Sequence, residues 1–488
     1  RDLTYLLFCA DRMTKPRTRP PLHPRSIWDE SALCEFLVKE RVKTLHAKNI
    51  WKYLMRTKGS SIDSLKNIAN FPLRLIEPLK ANFCLFSSRV VNEQTSNDKS
   101  TTKLLVELQD GLRVETVIIR HGAITSRKPD GESRTTLCVS SQVGCNMGCK
   151  FCATGTMGIL GDLCSGEILE QLLFARQFAE IRNIVFMGMG EPMNNYKSVV
   201  SAVIAMIDPH RFKLSPNRIT VSTVGVPKPI KAFNQDLPQV NLALSLHAPT
   251  QELRSTIVPS ARGFPIEKLM ATADDYLEAT GRTLLVEYVL LSGVNDSVTV
   301  AHQLGELLAG KKVTVNLIPY NSTDVSAQYV APPRKDILAF QRVLKEHQIA
   351  TTIRKEMGPD IAAACGQLVV SKGNESKDVG GNPDMDIEDI LRSTDQTKIM
   401  PDGGVNNTSR LAKDGRPHAN DPLWPMGLKI KHSKPLALDS KTISTSRDGA
   451  MGLSFFNFFV LVACILIVPL LKYSDAIWSS WLNGYHLG

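Results

Sequence analysis

Apolar residues recur along the chain in two rhythms, and the change of rhythm divides it. From Ser26 to about Asn82, SALCEFLVKERV, AKNIWKYLMR, SIDSLKNIA and LRLIEPLKANF place apolar residues three or four apart. With Ser and Asp at N-cap positions, this spacing predicts a small helical domain over 26–85. TTKLLVELQDGLRVETVIIRHG then alternates apolar and polar residues around the turn-forming Asp110-Gly111, which predicts a β-hairpin connector over 86–134. From about Thr135 the short apolar runs TTLCVSS, NIVFMGMG, RITVSTVG, VNLALSLH, TLLVEYVLL, VTVNLIP and ATTIRK alternate with amphipathic stretches such as SGEILEQLLFARQFAEI and RKDILAFQRVLKEH. This βαβα order predicts an α/β domain over 135–371, a parallel sheet covered by helices, either open and doubly wound or a full or partial barrel. In each of these architectures ligands gather at the carboxyl ends of the strands.

Both rhythms fail at the ends of the chain. Residues 1–25 are basic and Pro-rich, and read as an irregular segment. Residues 372–450, rich in Gly, Asn, Asp, Ser, Thr and Pro, read as a disordered linker. Within the tail 451–488, SFFNFFVLVACILIVPLL at 454–471 carries no charge and approaches the roughly 20 residues of a bilayer crossing, so it is a candidate transmembrane helix. Lys429, Lys431, Lys434, Lys441 and Arg447 precede it, a bias that would hold the catalytic domain on the cytosolic side. A buried helix is the alternative.

Composition narrows the class of protein. At 488 residues and 43% apolar content there is room for two or three domains with a sizeable core, as in a soluble enzyme of the cytoplasm or an organellar matrix. Ten cysteines in no regular framework argue for a reducing compartment and specific thiol chemistry. The net charge of +10 is concentrated between Arg1 and Lys58, where 13 Lys or Arg face 6 Asp or Glu; Met13 in this stretch offers an internal start. That surplus favours a polyanionic partner such as RNA, with a solvated basic surface or a targeting segment as the even alternative.

The candidate chemistry begins at VGCNMGCKFCATGTMG, residues 143–158. Cys145, Cys149 and Cys152 stand at C-x3-C-x2-C spacing with no matching C-x2-C partner and no H-x3-5-H downstream, a poor pattern for a closed zinc site. Cys138 as fourth ligand is one reading; a four-iron cluster with three protein thiolates and one open iron is the other. TLCVSSQVGC (136–145), MGMGEP (187–192), LSLHAP (244–249), NLIPYN (316–321) and DIAAACGQL (360–368) together resemble the RlmN family of radical S-adenosylmethionine RNA adenine C2-methyltransferases, in the same order from about residue 30 to 371.

That resemblance implies a partial (β/α)6-type radical SAM barrel, a [4Fe-4S] cluster on Cys145, Cys149 and Cys152, and two S-adenosylmethionine molecules per turnover. It implies that Cys365 is methylated, that a radical derived from the second cofactor activates the S-methyl group, and that the resulting carbon adds to adenine. Cys138 then releases the crosslinked RNA by forming a disulfide with Cys365, and Glu115 is the proton acceptor. Gly190, Glu191, Ser222, Ser245, Leu246, His247 and Asn321 match the family's cofactor contacts. Taken alone, Cys365 reads as a buried structural cysteine, Glu115 as a polar strand residue and His247 as a satisfied structural histidine. The implied partners are large-subunit rRNA, in several members tRNA, and a reductant for the cluster; the enzyme is expected to act as a monomer. Two rival readings are Cfr-like methylation of adenosine carbon 8 and a membrane-tethered iron–sulfur RNA-binding protein without catalysis. The chain departs from compact members in a longer IIRHGAITSRKPDGESR and in RKEMGPD where many have a more basic run.

Overall fold

The computed structural model describes residues 19–57, 61–122, 134–323 and 328–370, all within one compact unit. The segment 1–18, the linker 372–450 and the apolar run 454–471 lie outside the described residues. Among the described residues no helix is long and apolar enough to cross a membrane.

The chain enters through β1 (Arg25–Ser26) and two helices, α1 (Glu30–Lys39) and α2 (Leu45–Arg56). Asp29 caps α1 by accepting from Ala32 N–H. SIDSLKNIA forms only a 3-10 helix over Asp63–Asn67. Ser64 bonds back to Ser61 through both its N–H and its hydroxyl, closing tight turns in place of the α-helical ladder. A short α3 (Ile76–Asn82) and β2 (Phe83–Cys84) complete this region, with β2 parallel to β1.

Strands β3 (Arg89–Thr95), β4 (Thr101–Glu107) and β5 (Arg113–His121) form an antiparallel ladder, with Gly111 at φ +79° in the β4–β5 turn. This ladder does not stand apart as a connector. β6 (Arg134–Cys138) pairs antiparallel with β5 on one side and parallel with β9 (Asn183–Phe186) on the other. Between them lie the small antiparallel pair β7 (Gln142–Cys145) and β8 (Gly158–Asp162), the short α4 (Ala153–Thr156) and α5 (Ser165–Phe178). The sheet continues in parallel through β10 (Ile219–Thr223), β11 (Asn241–Ser245), β12 (Leu284–Leu290), β13 (Val313–Pro319) and β14 (Ala350–Ile353). Helices α6 (Tyr196–Ile207), α7 (Pro227–Asp236), α8 (Gln251–Ile257), α9 (Ile266–Thr280), α10 (Val298–Leu308) and α11 (Arg334–Glu346) fill the crossovers.

Seven parallel strands and three antiparallel ones thus make a single ten-stranded sheet whose two ends stay unpaired, a partial barrel. All seven apolar runs named above are strands, because a sheet covered on both sides rewards continuous apolar sequence. One apolar cluster runs from Ile27 to Leu368, so the helical region shares the core of the catalytic sheet. Polar anchors fix the join. Trp51 Nε1–H donates to Ile27 O at 2.9 Å, and the Arg211 guanidinium lies 4.6 Å from the Trp51 ring while pairing with Glu30 at 3.0 Å. Glu170 of α5 is fully buried and accepts from the backbone and hydroxyl groups of both Ser87 and Ser88.

Candidate active site

The three cluster-type cysteines lie between β7 and α4 at the carboxyl end of the sheet. Their loop is tied down by backbone bonds: Lys150 N–H to Ile257 O at 3.0 Å, Ser260 N–H to Met147 O at 3.4 Å and Ala153 N–H to Gly366 O at 2.7 Å. Cys145 and Cys149 are buried and Cys152 half-buried, and all three line one cavity of about 150 Å³. Burial pushes each thiol up from its ordinary range, and Cys149 is raised further by its two neighbours. Such thiols ionise only when a metal takes up the charge. Among the described residues no three His, Cys, Asp or Glu groups converge on one point fit for a single ion. A cuboidal cluster needs no such point, since each thiolate binds a different iron. Three thiols on one cavity wall are the soft donor set that an iron–sulfur cluster takes.

The rest of this cavity comes from successive strand ends. Gly190 has φ +101°, and a Cβ there would lie 2.6 Å from Gln142 Cβ, so only glycine allows the chain to pass. Glu191, 2% exposed, accepts from Val224 N–H at 2.9 Å and Met193 N–H at 3.0 Å, which leaves further lone pairs facing the cavity. Ser222 and Ser245 hydroxyls lie 3.2 Å apart on adjacent strands. His247 Nδ1 accepts from Val289 N–H at 3.1 Å, and burial pushes the ring down to about 3, so it is neutral with its proton on Nε2. Phe151, beside the last cysteine, packs edge-on against this ring at 4.8 Å. Leu246 departs from the expected set: its side chain is in the core, its N–H donates to Glu287 O and its carbonyl accepts from Arg254. Packing, rather than the cavity, claims that residue.

A second cavity of about 330 Å³ adjoins the first, and Cys365, Arg354, Asn321, Tyr320, Ile318 and Met187 line both. Cys138, at the end of β6, faces this second cavity, and burial together with Cys365 pushes its thiol up to about 12. Asn321 Nδ2–H donates to Cys365 O at 2.9 Å and fixes the loop carrying that cysteine. Glu115 lines neither cavity. Its carboxylate pairs with Lys103 Nζ at 2.9 Å and accepts from Val369 N–H at 2.9 Å, with burial raising its pKa against the pull of Lys103. Val117, opposite Cys138, puts Glu115 on the same sheet face two residues further along.

Residues 139–302 match the model of the Radical SAM superfamily. Over 371 residues the chain is 38% identical to the probable dual-specificity RNA methyltransferase RlmN of Geobacillus kaustophilus (strain HTA426), an alignment covering 75% of this chain and 98% of that protein. The chain belongs to the RlmN family of radical SAM methyltransferases. It is also 40% identical over 310 residues to the ribosomal RNA large subunit methyltransferase N of Nitrosopumilus maritimus (strain SCM1), over 62% of this chain and 87% of that protein. A radical SAM methyltransferase from Sphaerobacter thermophilus, known from its crystal structure, superposes with a TM-score of 0.63 at 37% identity, over 71% of this chain and 99% of that one.

As an RlmN-family enzyme the protein uses a [4Fe-4S] cluster and S-adenosylmethionine. Three charged residues of the RlmN-type site escape sequence reasoning. Glu287 and Arg354 line the cluster cavity, with Arg354 Nη1 4.0 Å from Glu287 Oε2. Arg254, 1% exposed, bonds two backbone carbonyls, and burial pushes its pKa down to about 10 against the pull of Cys149. Only Glu287 leaves a mark in the sequence: a carboxylate inside the apolar strand LLVEYVL is costly unless it has a task.

Proposed function

We propose that this enzyme methylates carbon 2 of adenosine in RNA through a covalent relay on Cys365 and Cys138. The observation that carries the reading is the shared wall: Cys365 borders both cavities, and Cys138 faces it across the second. One cavity suits the cofactors, and the other has room for an extruded base. When bound, the cluster and S-adenosylmethionine supply the methyl group and the hydrogen-atom abstraction that activates it.

The protein's own groups do the rest. Cys365 Sγ accepts the methyl group and carries it across the wall, where its carbon bonds to adenine C2. Glu115 takes the C2 proton, which requires the Val369 N–H contact to open first, and the one electron left on the ring after radical addition would return to the bound cluster. Cys138 Sγ then attacks Cys365 Sγ. The S–S bond forms as the Cys365 S–C bond breaks, the electron pair stays on the departing carbon, and a proton completes the methyl group. An external reductant restores both thiols and feeds the cluster. Gly190, Glu191, Ser222, Ser245, His247 and Asn321 hold the cofactor, with the His247 Nε2–H as a fixed donor.

RNA docks, as a ligand of a monomer, on the helical region, where Lys48, Lys52 and Arg56 stand four residues apart on the exposed side of α2. Large-subunit rRNA is the primary substrate and tRNA the second. The decisive experiment is anaerobic reconstitution with RNA, followed by mass spectrometry of nucleosides. The expected product is 2-methyladenosine together with 5′-deoxyadenosine. An 8-methyladenosine product replaces this reading with the Cfr-like one, and a good cluster with neither product removes catalysis altogether. Charge reversal of Lys48 and Lys52 should weaken RNA binding at least tenfold at low salt; unchanged binding would overturn the docking surface.

A further inference from the structure

Arg354 is the residue whose surroundings the relay leaves unexplained. It follows β14, and its N–H donates to Leu317 O of β13 at 2.8 Å, so the backbone is fixed at the lip of both cavities. Its guanidinium lies 4.0 Å from the Glu287 carboxylate, it lines both cavities together with Cys365, and Cys138 lines the second of them. One cation therefore stands among two sulfurs and a buried carboxylate delivered by three other elements: β6, β12 and the segment after β14.

We propose that Arg354 is the positioning residue of the cysteine relay: it aligns the Cys138 and Cys365 sulfurs at the second cavity and supplies the positive charge against which Cys138 reacts as a thiolate. This rests on the relay reading above. The need for such a charge follows from burial. Cys138 is 6% exposed and shares its cavity wall with Ile119, Val185, Met187 and Ile318, so its anion has little water to stabilise it. The other charged or titratable groups around this cavity are Cys365, His121 from β5, Tyr320 after β13, and Lys355 and Glu356 after Arg354, while Glu287 acts through Arg354. His121 is held toward its neutral form by burial and by Arg134 and Arg354. Burial and Cys365 push the Cys138 thiol up, and Arg354 is the cation that opposes them, beside a backbone bond at Met187. A guanidinium is suited to this place because it stays protonated and bonds several partners in one plane.

The test uses the full chain with its cluster reconstituted anaerobically and without RNA. Oxidised glutathione is added, and the Cys138–Cys365 disulfide is followed by peptide mass mapping. The exchange balances: two protein thiols lose two protons and two electrons, and one glutathione disulfide becomes two glutathione thiols. Iodoacetamide labelling of Cys138 across pH is read in parallel. R354Q is expected to slow disulfide formation about tenfold near neutral pH and to move the labelling profile up by about one pH unit. R354K, which keeps the charge, should return the rate to within about threefold of wild type. R354M, which keeps the apolar stem, serves if R354Q does not fold. Equal rates and profiles in wild type and the neutral variants overturn the assignment, as does an R354K defect equal to theirs. If reduced RNA binding is the only change, Arg354 is a phosphate contact instead. Failure of the disulfide to form in the wild type would remove the relay itself, an outcome distinct from a relay that ignores Arg354.

Discussion

The two sets of cysteines in this protein are built on opposite principles. Cys145, Cys149 and Cys152 sit within one loop, and three backbone bonds from α8, the following 3-10 turn and Gly366 hold that loop against the rest of the fold. Cys138 and Cys365 are 227 residues apart in sequence and meet only because β6 and the segment after β14 reach the same cavity. A cluster needs a rigid nest. A group that carries a methyl between two cavities needs a mobile arm held by few bonds, and Asn321 supplies one of them.

Each contrast can be tested, beginning with the largest effect. Replacing Cys149 with Ala should abolish cluster binding, with iron content and visible absorbance lost together and activity down at least ~10³-fold. Cys138→Ala should instead keep a full complement of iron, stop turnover and accumulate a protein–RNA crosslink visible on denaturing gels; loss of iron would return Cys138 to the ligand set. Glu191→Ala removes a buried acceptor from the cofactor cavity. Equilibrium binding of S-adenosylmethionine should weaken by about 10- to 100-fold, as for a lost hydrogen bond to a charged group. Arg254→Gln withdraws a buried positive charge from beside Cys149, so the midpoint potential of the cluster should fall by about 50 mV in an electron paramagnetic resonance titration, with Arg254→Lys restoring much of it.

Lys103→Ala gives the smallest change, about threefold in rate near neutral pH, but a directional one. Lys103 lowers the Glu115 pKa, so without it only the Val369 N–H opposes burial and the pKa rises further. A base must be deprotonated to work, and the acid limb of the rate profile should therefore move to higher pH. A limb that stays put or moves down would detach Glu115 from proton transfer.

What the sequence made legible follows the same division. The three thiols proposed for the cluster stood out by spacing because they share a loop, and they line one cavity. The seven parallel strands could be read because burial on both faces leaves continuous apolar runs such as VNLALSLH. The fusion of β5 to β6 could not, since strand pairing leaves no mark when both partners are buried and the intervening loop is long. The pairing of Cys138 with Cys365 was accessible only through family resemblance. Arg354 and Arg254 looked like ordinary basic residues at the edges of amphipathic segments, and it is the tertiary fold that surrounds them with sulfur. Leu246 is a motif position whose side chain belongs to the core, which spacing alone does not show.

The strand β6, paired on one side with the antiparallel ladder and on the other with the parallel sheet, also sets an order of assembly. Closing the seven-residue span of the cluster loop costs ~2 kcal/mol of chain entropy, whereas closing the span from Cys138 to Cys365 costs ~5 kcal/mol. The cluster loop closes over a short span, but its tie to Gly366, like the relay, waits for the segment after the last strand. During that interval Cys138 has no partner, and an oxidant reaching the nascent protein would find the cluster thiols close to one another and Cys138 seven residues from the nearest of them. Reducing conditions thus protect the folding of this enzyme as well as its turnover.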